Sequence, residues 1–316
     1  MSPGLVLISG ATGFIGRALA LDLAGAGYEV AVLTRNPQKA SSLFGSRVRA
    51  AGWDGRSSKG WLELASGAVG IVNLAGESIG ARWTEKKKQE IVRSRMNAGM
   101  AVMDAIHKSA TRPKTFIQAS AIGYYGQRAD EEIDESSSAG QGFLAGMARD
   151  WEGSTSDAAA LGARHVVVRS GLVLDRDGGV LPRFIRQFRL FAGGPLGTGT
   201  QWLSWIHRRD EVAAIRFLLE REDLAGIFNL TAPNPLTMKN FARLLGRVMK
   251  RPAWLPVPSF LLRLLFGQMA EETLLAGQRV LPRALLKAGF RFAYPDLENA
   301  LLEILRQRPP WEYPAG

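Results

Sequence analysis

Short apolar runs alternate with helical patterns from residue 5 to residue 230. The first run, residues 5–8, is followed by Ile15, Leu19 and Leu23, which recur every four residues as in a helix that packs one face on a sheet. Similar apolar runs follow at residues 29–33, 48–53, 68–74, 115–119, 165–168 and 227–230. Apolar strands separated by helices predict an α/β fold with a doubly wound parallel sheet, covered by helices on both faces.

The pattern changes after Gly171. Helical patterns then dominate, at residues 181–191, 237–249, 260–266, 271–276 and 282–288, with a last one from about residue 295. We therefore predict two parts. Residues 1–171, together with about 205–232, form the sheet domain, and residues 172–204 and 233–316 form a smaller, mostly helical C-terminal region that contributes a substrate site.

Three glycines follow the first strand at three-residue spacing. Gly10 permits a tight turn, Gly13 lets the backbone approach a pyrophosphate, and Gly16 lets the helix pack closely on the strand. The phosphates would lie at the N-terminus of the following helix, where free amides point at them. This context predicts a Rossmann domain that binds a nicotinamide dinucleotide through Gly10, Thr12, Gly13, Phe14, Ile15 and Gly16. The alternative is a glycine-rich turn that binds nothing.

The end of the second strand predicts which dinucleotide is bound. An acidic residue there would hold the ribose 2′-hydroxyl of NAD, but this chain has Thr34 followed by Arg35. A guanidinium suits a 2′-phosphate by charge and by fork geometry, so Thr34 and Arg35 predict NADP(H). The alternative is an exposed arginine at the start of a loop.

Three further strand ends supply candidate site residues. Leu74, Ala75 and Gly76 follow the fourth strand, and their small size allows the backbone to pass close to a ribose or phosphate. Ser120 follows the fifth strand and Arg169 the sixth. Because the carboxyl ends of parallel strands meet at one edge, we expect these residues to converge with Tyr124 and the segment 202–207 beside the nicotinamide.

Composition excludes several classes of site. The 316 residues include no cysteine and three histidines, which excludes disulfides and thiolate chemistry and argues against a metal site. The apolar run 260–266 is too short to span a bilayer, and the N-terminus has no signal-peptide pattern, so we expect a cytoplasmic protein with no membrane partner. The formal charge of +11 favours anionic cofactors or substrates. The basic run 86–88 is interleaved with Glu85 and Glu90, which does not predict a nucleic-acid partner. A monomer and a homodimer both remain open.

With these segments placed, the chain resembles the extended short-chain dehydrogenases/reductases. More narrowly, it resembles the atypical "epimerase family" proteins of the NAD-dependent epimerase/dehydratase superfamily, which carry a C-terminal domain of unknown function. The resemblance covers essentially the whole chain. It is carried by residues 10–16, 73–77, 82–84, 204–207, 277–282 and 289–292.

The resemblance implies roles for several residues. Ser120 would polarise a substrate carbonyl, and the helix at 84–107 would line the cofactor. Arg95 stands where an asparagine is common and would reach the cofactor phosphates, with Glu90 nearby; solvent exposure of both is the alternative. His207 is interpreted as structural.

The resemblance also exposes a departure. Active members carry a tyrosine and, four positions later, a lysine on the helix after the fifth strand. Here Phe143 and Met147 hold those positions, and a shift by one gives Leu144 and Ala148. None of these side chains can titrate. Tyr124 is the best substitute proton donor, although it is equally interpretable as a packing residue.

Two functions therefore remain. The first is an NADP-dependent reductase or nucleotide-sugar epimerase of unknown substrate that works without the usual tyrosine–lysine pair. The second is a non-catalytic NADP(H)-bound sensor or interaction protein, for example in cell-division regulation.

Overall fold

Seven parallel strands form the central sheet of the protein. The computed structural model describes residues 3–306, so the parts of the predicted regions at 1–2 and 307–316 lie outside the described residues. The strand order is β11-β7-β5-β4-β1-β2-β3. The strands of this sheet are β1 (Leu5–Ser9), β2 (Glu29–Thr34), β3 (Arg49–Gly52), β4 (Gly70–Asn73), β5 (Thr115–Ala121), β7 (Arg164–Ser170) and β11 (Gly226–Leu230).

Helices cover both faces of this sheet, as predicted. The helices of this domain are α1 (Phe14–Gly25), α2 (Pro37–Phe44), α3 (Leu62–Ala65), α4 (Glu85–Lys108), α5 (Phe143–Gly153) and α7 (Arg208–Glu220). Successive side chains of β1 point to opposite faces: Val6 and Ile8 share a buried cluster with α1 and α7, whereas Leu7 packs with α4. The doubly wound α/β fold is confirmed.

The chain reverses the direction of strand addition between β1 and β4. These two strands are neighbours, with Ser9 opposite Asn73 at their carboxyl ends. Ser9 Oγ donates to Asn73 Oδ1 (2.5 Å), and Asn73 Nδ2 donates to Gln118 Oε1 (2.9 Å). This buried relay fixes the ends of β1, β4 and β5 relative to one another. Ligands of such sheets bind in the crevice outside this switch point.

The remaining elements build a second buried cluster beside the sheet. It is formed mainly by α6 (Leu181–Arg189), α8 (Met238–Met249), α9 (Ser259–Phe266) and α11 (Leu297–Arg306). A π-helical turn spans Ala270–Leu274, and α10 spans Arg283–Lys287. Short pairs of strands connect this part to the sheet: β6 (Glu132–Ile133) with β13 (Arg279–Val280), β8 (Leu172–Leu174) with β10 (Trp205–His207), and β9 (Trp202–Leu203) with β12 (Leu236–Thr237).

Most strands and helices lie within a few residues of their predicted positions. The sequence also predicts a single helix over residues 142–161. Helix α5 is shorter: it ends at Gly153, and a 3-10 turn follows at Ser156–Ala158. Within residues 3–306, no helix is both long and apolar enough to cross a membrane.

Candidate cofactor and active site

The glycine-rich turn between β1 and α1 is tightly constrained. Gly10 has φ +70°, and a Cβ at this position would lie 2.6 Å from the backbone of Leu74. A Cβ at Gly16 would lie 2.5 Å from Gly10 O, so the helix can begin this close to the strand only with glycine. Gly13 caps α1 without any side-chain hydrogen bond, and Thr12 and Gly13 are exposed. The turn therefore offers a helix N-terminus that no protein side chain caps, which fits a pyrophosphate.

The flanking residues of this turn lie where the sequence predicted. Phe14 and Ile15 are half-buried at the start of α1, and the Arg208 guanidinium lies 5.2 Å from the Phe14 ring centre. Leu74 N donates to Ser9 O (3.2 Å), which holds the residues after β4 against the glycine turn. Ala75 is half-buried and Gly76 is exposed beside it.

Positive charges surround Glu77 next to the end of β2. Lys87 Nζ lies 2.7 Å from Glu77 Oε1. This hydrogen bond, together with the charges of Lys87, Arg35 and Arg95, holds the pKa of Glu77 below its ordinary value. Arg35 itself is exposed, and the Thr34 hydroxyl accepts from Asn36 N (3.2 Å). Because Lys87 neutralises Glu77, the acidic residue nearest this edge does not cancel the charge of Arg35.

Arg95 is turned into the protein rather than out to solvent. Its Nη1 donates to the carbonyl oxygens of Glu77 (3.0 Å) and Ile91 (3.1 Å), and its guanidinium lies 5.0 Å from the Trp151 ring centre. Burial lowers the pKa of Arg95 to about 10, so it stays charged at neutral pH. Of the two alternatives for Arg95, solvent exposure is excluded by these contacts. Glu90 is exposed, 3.6 Å from Lys87 Nζ.

Ser120 and Arg169 meet at a residue that the sequence analysis did not single out, Glu152 of α5. Ser120 Oγ donates to Glu152 Oε1 (2.5 Å). Arg169 donates to both carboxylate oxygens, from Nε to Oε1 (2.8 Å) and from Nη2 to Oε2 (2.7 Å). Burial opposes the charge of Arg169, but hydrogen bonding to Glu152 outweighs it and raises the arginine pKa above its ordinary value.

Two tyrosines enclose this ion pair. The Tyr125 hydroxyl accepts from Arg169 Nη1 (3.0 Å) and donates to Asn229 Oδ1 (2.7 Å), so it is saturated. Burial raises the pKa of Tyr125, which keeps it protonated. The Tyr124 ring lies against the Arg169 guanidinium, 3.5 Å from ring centre to Cζ, and is half-buried.

The helix that follows β5 is fastened by the C-terminal part of the chain. The backbone amides of Phe143 and Leu144 donate to the two carboxylate oxygens of Glu272, at 3.1 and 2.9 Å. The Phe143 ring packs edge-on against Trp83, with ring centres 5.0 Å apart, and Met147 is buried. The positions compared with tyrosine and lysine are thus filled by apolar packing.

The hydrogen bonds and packing contacts of Trp202, Trp205 and His207 lie outside the Ser120–Glu152–Arg169 cluster, unlike the expected convergence. Trp202 Nε1 donates to Asp130 Oδ1 (2.7 Å), whereas Trp205 is fully buried in the second cluster. His207 is buried; its Nδ1 accepts from Arg209 N (3.0 Å), and its Nε2 lies 2.9 Å from Glu303 Oε2. These contacts give His207 a structural role in this arrangement.

Sequence reasoning missed Glu152, Tyr125 and Glu272. One signal for Glu152 was present: it lies four residues after Ala148 on the buried stripe of α5, where a carboxylate needs a partner. No local pattern pointed to Glu272, because its partners lie far along the chain. Among the described residues, no group of three or more His, Asp or Glu side chains could hold a metal ion.

Two family models match the chain. The NAD-dependent epimerase/dehydratase family matches residues 6–231, and a domain of unknown function, DUF1731, matches residues 257–304. The epimerase family protein YfhF of Bacillus subtilis (strain 168) is 41% identical over 304 residues, covering 96% of this chain and 98% of the relative.

Solved structures agree with these matches. Human epimerase family protein SDR39U1 (isoform 2), determined with NADPH, superposes with a TM-score of 0.83 at 34% identity, covering 95% of this chain and 98% of that one. A nucleoside-diphosphate sugar epimerase from Corynebacterium glutamicum has a TM-score of 0.76 at 32% identity, covering 96% of this chain and 58% of that one. The span matched by the first family model, residues 6–231, contains the glycine turn, Arg35 and the Ser120–Glu152–Arg169 cluster. The chain belongs to the NAD-dependent epimerase/dehydratase family.

Proposed function

We propose that the protein binds NADP(H) and acts as a reductase or epimerase on a small carbonyl or nucleotide-sugar substrate. The cofactor fits the residues present: the glycine turn would hold the pyrophosphate, and Arg35 would face the 2′-phosphate. The human relative solved with NADPH supports the choice of dinucleotide. When bound, the nicotinamide supplies or accepts a hydride.

The observation that carries the proposal is the convergence of Ser120, Tyr124 and Arg169 at the ends of β5 and β7. In parallel sheets this edge faces the ligand crevice. Glu152 holds the Arg169 guanidinium by two hydrogen bonds, and the guanidinium lies against the Tyr124 ring. This contact holds the Tyr124 ring beside the ion pair at the end of β7.

Tyr124 is therefore the proposed proton donor and acceptor. The Tyr125 hydroxyl is committed to Arg169 and Asn229, and helix α5 (FLAGMARDWEG) contains no tyrosine or lysine. Ser120 donates its proton to Glu152 and can still accept a hydrogen bond from a substrate hydroxyl. A positioned acid typically contributes about 10²–10⁴-fold to such a step.

One observation favours the alternative, a protein that binds NADP(H) without turnover. Ser120, Tyr125 and Arg169 already direct their hydrogens to partners within the protein. A network whose donors are all occupied has no free donor for a substrate. It is compatible with a binding module in which the bound dinucleotide changes the packing of the C-terminal part against the sheet.

Single-turnover oxidation of NADPH separates these functions. The unmodified protein is mixed with NADPH and a panel of aldehydes, ketones and nucleotide keto-sugars. If a substrate is turned over, Tyr124→Phe should slow the single-turnover rate by about 10²-fold or more. The matched control is Tyr294→Phe, whose ring stacks on His207 instead. Turnover that survives Tyr124→Phe would overturn the assignment of Tyr124, and tight NADPH binding without any turnover would favour the binding module.

A further inference from the structure

Helix α9 exposes three large apolar side chains over more than half of their surface. Phe260, Leu264 and Leu265 are 70%, 67% and 52% exposed, whereas Leu262 is 5% exposed and faces the second buried cluster. Phe260 and Leu264 are four residues apart, so they lie on one side of the helix. The helix is therefore apolar on its outer side as well as on its inner side.

Two loops extend this outer surface. Leu190, Phe191 and Trp254 are 70%, 59% and 72% exposed. The backbone joins the two loops: Leu255 N donates to Gly193 O (3.0 Å), and Val257 N donates to Pro195 O (2.9 Å). The second loop then leads into α9. We call Leu190, Phe191, Trp254, Phe260, Leu264 and Leu265 the apolar face.

The two chain segments that form the apolar face are basic and contain no acidic residue. Neither residues 178–209 nor residues 224–270 contain an aspartate or glutamate. The Arg251 guanidinium lies 4.5 Å from the Phe191 ring centre. Arg263, the single cation of α9, lies 3.4 Å from Glu271. Six further exposed cations form no ion pair within residues 3–306: Arg183, Arg186, Arg189, Lys239, Arg243 and Lys250.

We infer that the apolar face docks onto the surface of an anionic lipid bilayer. Exposed leucine and aromatic side chains can enter the boundary between headgroups and acyl chains, while arginine and lysine reach the anionic headgroups. Contiguous apolar surface of this kind is rare on monomeric proteins unless it binds something. A second copy of this chain fits poorly, because two faces bordered by cations repel each other.

This inference departs from the expectation of no membrane partner. That expectation rested on the absence of a spanning segment, and α9, with eight residues, is indeed too short to span. An interfacial helix needs no such length, because it lies in the plane of the surface. None of the six residues of the apolar face is a proposed cofactor-binding residue, although Arg82, in the loop after Gly76, donates from Nη1 to the carbonyl oxygen of Leu264 (2.8 Å). The inference does not depend on the proposed reaction.

Co-sedimentation with vesicles tests the inference. The full chain is mixed with vesicles of phosphatidylcholine alone or with about a quarter of phosphatidylglycerol, at low and high salt. We expect binding to the anionic vesicles at least tenfold tighter than to neutral ones, weakening with salt. The double variant Leu264→Glu/Leu265→Glu, and separately Trp254→Glu, should lower the affinity for anionic vesicles at least tenfold.

The matched control is Met100→Glu, which places the same charge on another exposed apolar residue, 50% exposed on α4. Far-ultraviolet circular dichroism checks that each variant is folded. The inference is overturned if the unmodified protein does not bind anionic vesicles. It is also overturned if Met100→Glu lowers the affinity for anionic vesicles as much as the variants of the apolar face do. Binding to polyglutamate but not to vesicles would indicate an acidic protein partner instead. A dimer in sedimentation velocity that the Leu264→Glu/Leu265→Glu variant dissolves would indicate a second copy.

Discussion

Glu152 and Arg169 form a two-pronged ion pair in which both carboxylate oxygens accept from the same guanidinium, at 2.8 and 2.7 Å. The side chains are 12% and 2% exposed. Charges desolvated to this degree are stable only together, since removal of one leaves the other buried and unpaired.

We predict that Glu152→Gln or Arg169→Met alone lowers the free energy of unfolding by about 3–5 kcal/mol. The loss of unfolding free energy in the double variant should be smaller than the sum of the losses in the two single variants. Urea unfolding of all four proteins measures this difference as a coupling energy. The comparison pair is the exposed Lys88–Glu85 bridge, whose removal should cost at most about 1 kcal/mol. Strictly additive losses would contradict a coupled pair.

Arg35 is expected to set the preference for the phosphorylated dinucleotide. Arg35→Ser removes a charge-assisted contact worth about 1.5–3 kcal/mol, so NADPH affinity should fall roughly tenfold to a hundredfold while NADH affinity stays nearly constant. Calorimetric titration measures both. Arg49→Ser is the control, because Arg49 is also exposed but lies at the start of β3, opposite Ala31, and not at the carboxyl end of a strand. An equal loss of affinity for NADPH and NADH would contradict the specificity assigned to Arg35.

Glu211 should make folding stability depend on pH. It is completely buried in α7; Ser170 Oγ donates to its Oε1 (2.5 Å), and its Oε2 has no hydrogen-bond partner among the described residues. Burial raises the pKa of Glu211 from 4.5 to about 8, against the smaller opposing effect of Ser170. Between these two pH values the folded form keeps a proton that the unfolded form has lost. The contribution of Glu211 to the free energy of unfolding is therefore fully present below pH 4.5 and is lost as pH rises to 8.

Glu211→Gln cannot ionise and should remove this slope. Relative to the unmodified chain, its free energy of unfolding should rise between pH 5 and pH 8, by up to ~4 kcal/mol at about 1.4 kcal/mol per pH unit. Urea unfolding at several pH values measures the difference. The companion variant Ser170→Ala loses the hydrogen bond that opposes the pKa rise, so its stability should go on decreasing to a higher pH, with the same slope per pH unit. A difference between Glu211→Gln and the unmodified chain that does not change with pH would refute the prediction.

Glu272 should stabilise the start of α5. Glu272→Ala leaves the amides of Phe143 and Leu144 without their carboxylate partner, and we expect a loss of about 1–2 kcal/mol. Hydrogen exchange of these two amides should become faster than exchange in the middle of the helix. The adjacent Glu271→Ala removes only an exposed contact with Arg263 at 3.4 Å and should change stability by less than about 0.5 kcal/mol. Similar effects of the two substitutions would argue against a specific cap.

The sequence predicted the features that local pattern determines. Apolar runs located the strands of the sheet, and the spacing of Gly10, Gly13 and Gly16 located the turn, because a Cβ at Gly10 or Gly16 has no room. Helix α7 is absent from the sequence-based prediction, although Val212, Ile215 and Leu219 recur along it at helical spacing.

The candidate active site depended on contacts that no local pattern encodes. Ser120, Glu152 and Arg169 come from three separate elements, and their pairing follows from how α5 packs beside β5 and β7. Arg95 likewise turns inward because the carbonyl oxygens of Glu77 and Ile91 are within reach, which depends on the path of the loop after β4.

The pairing of β6 with β13 has a consequence for the order of events during synthesis. Residues 132–133 and the first turn of α5 leave the ribosome well before Glu272 and residues 279–280, their partners. At about 5–20 residues per second, the interval is roughly 10–30 s. During that time the edge of β6 and the amides of α5 are open to water, chaperones or neighbouring nascent chains. The contacts that fasten β6 and the start of α5 thus form only after the C-terminal part of the chain has been made, and a premature stop after the sheet would leave them unmade.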